Sequence, residues 1–199
     1  MIGAASVAGA TDHGFYMGVD GGVASYPSDV HLTIRTGTTD TLYYNKKSRS
    51  SDFAWSFAAG YRFNRYLAAE LGFSDLGHAK SDLLTKADPD TDPSKGSIEH
   101  SMRGKSLALL AHLPVGNWDS YLKVGVRQSI YGIKGALKYD KSELQLSSTF
   151  EDAQWLLGVG TRYAFTERWA ATFTAEYYGG GNRGIPKIFS PRVGFAYRF

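Results

Sequence analysis

Residues 52–63 read DFAWSFAAGYRF, and the fold class of the chain can be argued from this stretch. Every second residue from Phe53 to Phe63 is apolar, and the residues between them are Ala, Ser, Gly and Arg. A repeat of two residues is typical of a β-strand with one apolar face. A stretch of this length is about what a tilted strand needs to cross a lipid bilayer. It therefore predicts a strand of membrane-spanning length.

The same alternation recurs along the chain and predicts eight strands. They lie near residues 14–25, 52–63, 66–74, 107–115, 122–130, 154–163, 169–177 and 189–199. Short connections are predicted at Asn64-Arg65, Pro114–Asp119 and Thr166–Arg168, and long ones at Tyr26–Ser51, Asp75–Arg103, Gly132–Thr149 and Gly179–Ile188. Strict alternation of short and long connections is typical of an up-and-down barrel in an outer membrane, with short periplasmic turns and long outer loops.

Composition agrees with this interpretation. The 199 residues suit a single domain. Aromatic residues make up 14% of the chain and glycine occurs 23 times, which favours β structure. The absence of cysteine excludes disulfides and cysteine-built metal sites. A net charge of +3 is too small to indicate nucleic-acid binding, and no apolar run is long enough for a transmembrane helix.

The two faces of the predicted strands differ in a way that decides which face is inside. The apolar faces carry no charge, whereas the opposite faces carry small residues and a few charges. A soluble barrel needs the reverse arrangement, and a sandwich should place long polar side chains in water rather than Gly and Ala. We therefore expect a lumen charge network formed by Arg62, Glu70, Lys123, Arg127, Arg162, Glu176, Arg192 and Arg198. Glu70 and Glu176 should each contact at least one arginine in a polar, plugged lumen, because unpaired buried charges are costly.

Aromatic residues are expected to form two girdles at the membrane interfaces. One set is predicted beside the short turns and the C-terminus: Tyr61, Phe63, Tyr163, Phe165, Trp169, Tyr197 and Phe199. The other set is predicted toward the long loops: Phe15, Phe53, Phe73, Tyr131 and Tyr177.

Two motifs resemble a known family. Residues 60–73, GYRFNRYLAAELGF, are similar to the second hairpin of OmpA/OmpX-type, opacity-protein-like eight-stranded outer-membrane barrels. The ending VGFAYRF is similar to the C-terminal assembly signal of such proteins, which places Phe195, Tyr197 and Phe199 in that signal. The resemblance implies a bacterial outer membrane, contact with its lipid and lipopolysaccharide, and recognition by the outer-membrane assembly machinery. It also implies a role as envelope structure, adhesin, host-evasion factor or narrow, porin-like channel.

The first ten residues, MIGAASVAGA, are small, apolar and uncharged. Ala8-Gly9-Ala10 fits the pattern of a signal-peptidase site, although a positive segment before it is missing. We expect residues 1–10 to be a signal-peptide remnant, or else a disordered N-terminus, and residues 11–199 to form the barrel domain.

Four further groups are candidate sites. Residues 88–99 have the acidic spacing of a calcium loop, but Pro93 stands where glycine is needed, so a solvated loop is favoured. The five histidines are scattered, with only His112 expected in a strand, facing inward. Ser74, Asp75, His78 and Ser81 lie near one strand end, as in a lipid-modifying rim enzyme, and Lys46, Lys47 and Arg49 form a small basic cluster.

The pattern as a whole favours a non-enzymatic barrel with an envelope-structural or surface-attachment role carried by its long loops. A narrow channel for small solutes is the alternative, and a rim enzyme is less favoured. We expect no catalytic residue, metal or cofactor, and a monomer whose loops meet a host or surface ligand.

Overall fold

The computed structural model describes residues 13–26, 32–36, 40–44, 50–85, 94–139, 142–180 and 187–199. Ten strands are present in this part of the chain: β1 Gly14–Tyr26, β2 Leu32–Thr36, β3 Asp40–Tyr44, β4 Ser50–Asn64, β5 Leu67–Thr85, β6 Ser94–Val115, β7 Trp118–Tyr139, β8 Ser142–Ala164, β9 Trp169–Gly179 and β10 Ile188–Arg198. Among the described residues, no helix has the length and apolar character needed to cross a membrane.

Eight of the strands close into one antiparallel barrel in the order β1-β10-β9-β8-β7-β6-β5-β4. The closing pair is β1 with β10, in which Val19 lies opposite Phe195. This confirms the predicted eight-stranded up-and-down barrel. The remaining strands, β2 and β3, form a separate hairpin within the first long connection, where the sequence predicted only a loop.

The apolar faces of the strands point away from the lumen. Neighbouring residues on β5 show the contrast, since Leu71 is 64% exposed and Glu70 is 5% exposed. In the part of the barrel near the short turns, exposed Leu, Val, Phe and Trp side chains form a band around the outside. Such a band is what a barrel presents to lipid.

The girdle at the short turns is present, but two residues were assigned to the wrong place. Phe15 is the second residue of β1 and lies against Tyr61, with ring centroids 4.8 Å apart, so it belongs to the short-turn end. The prediction failed because the first strand starts at that end. Tyr131 is buried and therefore belongs to neither girdle. Trp118, which the prediction omitted, packs against Tyr163 in the short-turn girdle.

Two of the predicted long loops are largely strand. Four strands continue past the lipid-facing band as an outer extension, formed by residues 75–85, 94–104, 129–139 and 142–152. The pairing of β4 with β5 ends at Asp75, the first residue of this extension. The pairing of β9 with β8 ends at Trp155, before the extension begins. The prediction of irregular loops at Asp75–Arg103 and Gly132–Thr149 was therefore wrong for most of these residues.

A β-bulge marks the point where β5 leaves β4. The register shifts between Asp75 and His78, and Gly77 has a φ of 81°. A Cβ at Gly77 would lie 2.5 Å from the Phe53 carbonyl oxygen, so glycine is required here. Asp52 accepts a hydrogen bond from the His78 backbone N–H at 2.5 Å, which fixes the bend.

Candidate functional site in the barrel lumen

The centre of the lumen is occupied by a lysine held between two carboxylates. The Nζ of Lys123, on β7, lies 2.5 Å from Glu70 Oε1 and 2.7 Å from Glu176 Oε1. The three residues come from β7, β5 and β9, and each is at most 8% exposed. The contact of Lys123 with the two glutamates therefore connects strands that are not neighbours in the barrel, and it spans the bore.

Glu176 holds a second cation. Its Oε2 accepts hydrogen bonds from Arg192 Nη2, on β10, and from the Tyr178 hydroxyl. Arg192 also donates to the Tyr178 hydroxyl at 3.1 Å and to the Ser190 hydroxyl at 3.2 Å. This carboxylate thus has three donors in a nearly dry environment.

The second carboxylate oxygen of Glu70 contacts residues on the side of the short turns. Its Oε2 accepts a hydrogen bond from the Tyr16 hydroxyl at 2.9 Å and a longer one from Arg162 Nη2 at 3.4 Å. The Arg162 guanidinium lies 4.3 Å from the Tyr16 ring centroid and 5.0 Å from that of Tyr121. Cation–π contacts of this kind stabilise a cation away from water.

A separate ionic group lies closer to the short turns. Arg62 Nη2 is 2.7 Å from Asp119 Oδ2, and His112 Nδ1 is 3.0 Å from Asp119 Oδ1. Arg198 is half-buried near this group and makes no ion pair among the described residues. Arg198 therefore lies apart from both glutamates.

Toward the outer end the lumen mixes apolar side chains with polar ones, among them buried Ser129 and Gln154, which are joined by a hydrogen bond of 2.7 Å. Leu76, Met102, Leu156 and Ile188 are completely or almost completely buried there. Arg127 lies among them with its guanidinium 4.6 Å from the Tyr178 ring centroid, and it donates to the Ser74 carbonyl oxygen at 3.2 Å. The lumen therefore contains buried polar side chains along its described length, and apolar side chains join them toward the outer end.

Two cavities are separated by side chains of the lumen. The inner one measures about 30 Å³ and is lined by Asp20, Ser56, Lys123 and other polar groups. The other, of about 680 Å³, opens at the short turns. Tyr16 and Arg162 line both cavities, so these two side chains form part of the partition between them. Within the described residues the bore is interrupted at this level.

The sequence placed the charges on the correct face but missed several of their partners. Asp119 was assigned to a turn, although it shares the inward parity of Tyr121 and Lys123 on β7. Continuing the alternation of inward residues on β7 back toward the turn would have predicted that Asp119 faces the lumen. Tyr16 and Tyr178 were also missed, and each follows the inward alternation of its strand.

Ser74, Asp75 and His78, whose side chains are described, point to different surroundings and do not assemble into a site. Ser74 is buried, Asp75 accepts a hydrogen bond from the Gly77 N–H, and His78 is exposed and lies 3.3 Å from Glu99. Among the residues with described side chains, no group of three His, Asp or Glu has the arrangement of a metal site. Residues 88–93 and the cluster Lys46, Lys47 and Arg49 lie outside the described residues.

Histidines occur in the outer extension, where none was expected in a strand. His100 lies in β6, and its Nδ1 is 2.6 Å from the Tyr131 hydroxyl. The two rings stack with centroids 5.7 Å apart. Burial lowers the pKa of His100 and raises the pKa of Tyr131 to about 12. This pair lies beyond the lipid-facing band. Along β6 from His100 toward the membrane, the exposed residues Arg103 and Lys105 come before the band begins.

The closed barrel, its outward apolar band and its charged lumen define an integral membrane β-barrel protein. The chain matches the family model described as outer membrane protein beta-barrel domain over residues 1–199, and it belongs to that family. Its location is the bacterial outer membrane. No curated protein matches the sequence significantly.

Solved structures agree on the fold. OprG from Pseudomonas aeruginosa is 16% identical with a TM-score of 0.56, over 94% of this chain and 97% of OprG. The outer membrane protein AlkL in lipid bilayers is 16% identical with a TM-score of 0.52, over 100% and 96% of the two chains. Neisserial surface protein A is 15% identical with a TM-score of 0.51, over 93% and 97%. At these identities the likeness concerns the fold alone.

Proposed function

We propose that this protein is a non-enzymatic outer-membrane scaffold that displays its outer extension for attachment to a surface ligand. The observation that carries the proposal is the length of β5 to β8, which are 19, 22, 22 and 23 residues long. A strand needs only about 9–11 residues to cross the hydrocarbon core. The remainder of each strand therefore projects into the medium.

Where its side chains are described, the outer extension offers an exposed polar surface on β7 and β8. On β7 the exposed apolar residues run from Trp118 to Val126, and the exposed residues beyond them include Gln128 and Lys134. On β8 all residues of 147–151 are exposed, whichever face they occupy. At about 3.3 Å per residue, eleven further residues reach roughly 35 Å along the strand. A four-stranded sheet of that reach offers a large contact area on a rigid base.

The lumen supports an anchoring role more than a transport role. The contact of Lys123 with Glu70 and Glu176 spans the bore, and eight strands leave an interior that side chains nearly fill. Opening a path requires these buried charges to separate, which is costly because each would lose its partner. A narrow channel is the second candidate, and the cavity of about 680 Å³ at the short turns is the observation that favours it.

The attachment role is tested by shortening the extension. Residues 134–147 of the β7–β8 hairpin are replaced by Asn-Gly, because Ile133 and Ser148 are a paired position at which a tight turn can close. Cells displaying this variant should lose adhesion to heparin-coated or gelatin-coated surfaces that the parent protein binds. A matched control replaces the turn Gly116-Asn117 by Asp-Gly and should adhere normally. Unchanged adhesion of the shortened protein, or no adhesion of the parent protein, contradicts the proposal.

Targeting and assembly complete the proposed role. We infer that residues 1–10 are removed on export, so that the exported protein begins at Thr11, and that Phe195, Tyr197 and Phe199 form the assembly signal. The exposed side chains of Phe195 and Phe199 on the lipid-facing side support this role. Mass spectrometry of the exported protein checks the first point, and retention of Met1 contradicts it.

The lipid-facing band contacts outer-membrane lipid and lipopolysaccharide, and the barrel works as a monomer without a cofactor.

A further inference from the structure

The cavity at the short turns carries an excess of positive charge. Its lining includes five arginines and two carboxylates: Arg62, Arg65, Arg162, Arg168, Arg198, Asp119 and Glu167. We call this cavity the turn-side mouth. By the usual orientation of outer-membrane barrels, it faces the periplasm.

The carboxylates neutralise only part of the arginine charge at the inner end of the mouth. Asp119 is already engaged by Arg62 at 2.7 Å and by His112 at 3.0 Å. Glu167 is an exposed residue of the connection between β8 and β9. Arg162 reaches a carboxylate, that of Glu70, only at 3.4 Å. Arg198 makes no ion pair within the described part of the chain.

Buried donors in the same place lack acceptors. The Nε of Arg62 and the Nε of Arg162 are buried and find no hydrogen-bond partner among the described residues. Arg62 is only 5% exposed, so its guanidinium is held largely away from bulk water. A buried donor without a partner is costly, and an anion bound in the mouth offsets the positive charge of these two arginines.

We propose that the turn-side mouth binds a small oxyanion, a carboxylate or a phosphate, with Arg198 as its principal ligand and Arg162 and Arg62 beside it. Guanidinium groups bind such oxygens through two parallel hydrogen bonds. The partition formed by Tyr16 and Arg162 makes the mouth a dead end toward the lumen, so the ligand enters and leaves from the periplasmic side. This site is independent of the attachment role of the outer extension, which lies at the other end of the barrel.

The test measures binding to the full-length protein refolded in detergent micelles. Inorganic phosphate, N-acetyl-alanyl-alanine and the C-terminal amide of that dipeptide are titrated separately by calorimetry in a buffer free of oxyanions. Saturable binding of phosphate or of the free dipeptide is expected, and which of the two binds identifies the oxyanion. The amide should not bind. Binding should weaken as sodium chloride is raised, because the added ions screen the arginines.

Arg198→Gln should weaken binding about tenfold, the effect of losing one charge-assisted hydrogen bond. Arg103→Gln is the matched control, because Arg103 is an exposed arginine on the outer side of the membrane. Its binding should equal that of the unaltered protein. No saturable binding of either anion, equal binding by Arg198→Gln, or equal weakening by Arg103→Gln overturns the proposal.

A second measurement uses the unaltered protein and so does not depend on the folding of a variant. Phenylglyoxal modifies accessible arginines, and peptide mass spectrometry reports the rate at each position. Phosphate or the free dipeptide should slow modification of Arg198 and leave Arg103 unaffected. Equal rates at Arg198 with and without the anion contradict the proposed site.

Discussion

Replacing Glu176 by glutamine should destabilise the barrel strongly, although the substitution barely changes the size of the side chain. Glu176 is 3% exposed and accepts hydrogen bonds from Lys123 at 2.7 Å, from Arg192 and from Tyr178. With Glu70 and Arg162, the group contains two carboxylates and three cations, so its net charge is +1. Glutamine raises this charge to +2 in a site that excludes most water.

The expected magnitude lies at the lower end of the range for a broken buried pair, which is about 3–5 kcal/mol. The orphaned cations keep other partners, since Lys123 still lies 2.5 Å from Glu70, and Arg192 still donates to Tyr178 and Ser190. We therefore expect a loss of about 3 kcal/mol, which is more than a hundredfold in the folding equilibrium.

The assay is urea unfolding of the protein refolded into lipid vesicles. The folded fraction is followed by tryptophan fluorescence and by band shift on unheated gels. Glu167→Gln is the matched control, because it makes the same chemical change at an exposed residue between β8 and β9. Its effect should stay within about 0.5 kcal/mol. Equal stability of the two variants would refute the reasoning that the lumen cluster is dry and mutually dependent.

Three further outcomes are expected. Gly160→Ala should destabilise the barrel, because the added Cβ would lie 2.4 Å from the Tyr121 ring. Gly18→Ala should be tolerated, because its Cβ would lie 3.5 Å from its nearest neighbour, the Phe195 carbonyl oxygen. Urea titration compares the stabilities of the two variants. Lowering the pH from 7.5 to 5.5 should lower the protection factors of amides around His100, that is, the intrinsic exchange rate at each pH divided by the observed rate. The reason is that the unfolded histidine takes up a proton more readily than one whose pKa is lowered by burial, and His100→Gln should flatten that dependence. Deleting Phe199 should reduce the amount assembled in the outer membrane more than it reduces the stability of the refolded barrel; equal membrane levels would count against its proposed role.

The membrane-crossing part of the fold was predictable because lipid and lumen impose opposite demands on alternate residues. Leu71 and Glu70 show this contrast at adjacent positions. The outer extension was not predictable in the same way, since it lies beyond the lipid and its sequence lacks the long apolar alternation of the membrane-crossing part. In residues 147–151 every side chain is exposed, so the sequence resembles a loop although the backbone is strand.

The candidate lumen residues were predictable as a set, but their pairing was not. Arg62 of β4 contacts Asp119 of β7, with two strands between them around the barrel, and Lys123 reaches both Glu70 and Glu176. Such contacts depend on the relative heights of strands that are far apart in sequence. Periodicity reports which face a residue occupies, but it does not report its height relative to a strand across the bore.

The central claim is that this outer-membrane barrel is an anchor with a filled lumen, and single-channel recording in planar bilayers tests it most directly. The purified, refolded protein should produce no steady open level, because the contact of Lys123 with Glu70 and Glu176 spans the bore. A large, steady conductance that scales with the number of inserted barrels would contradict the account and favour the channel.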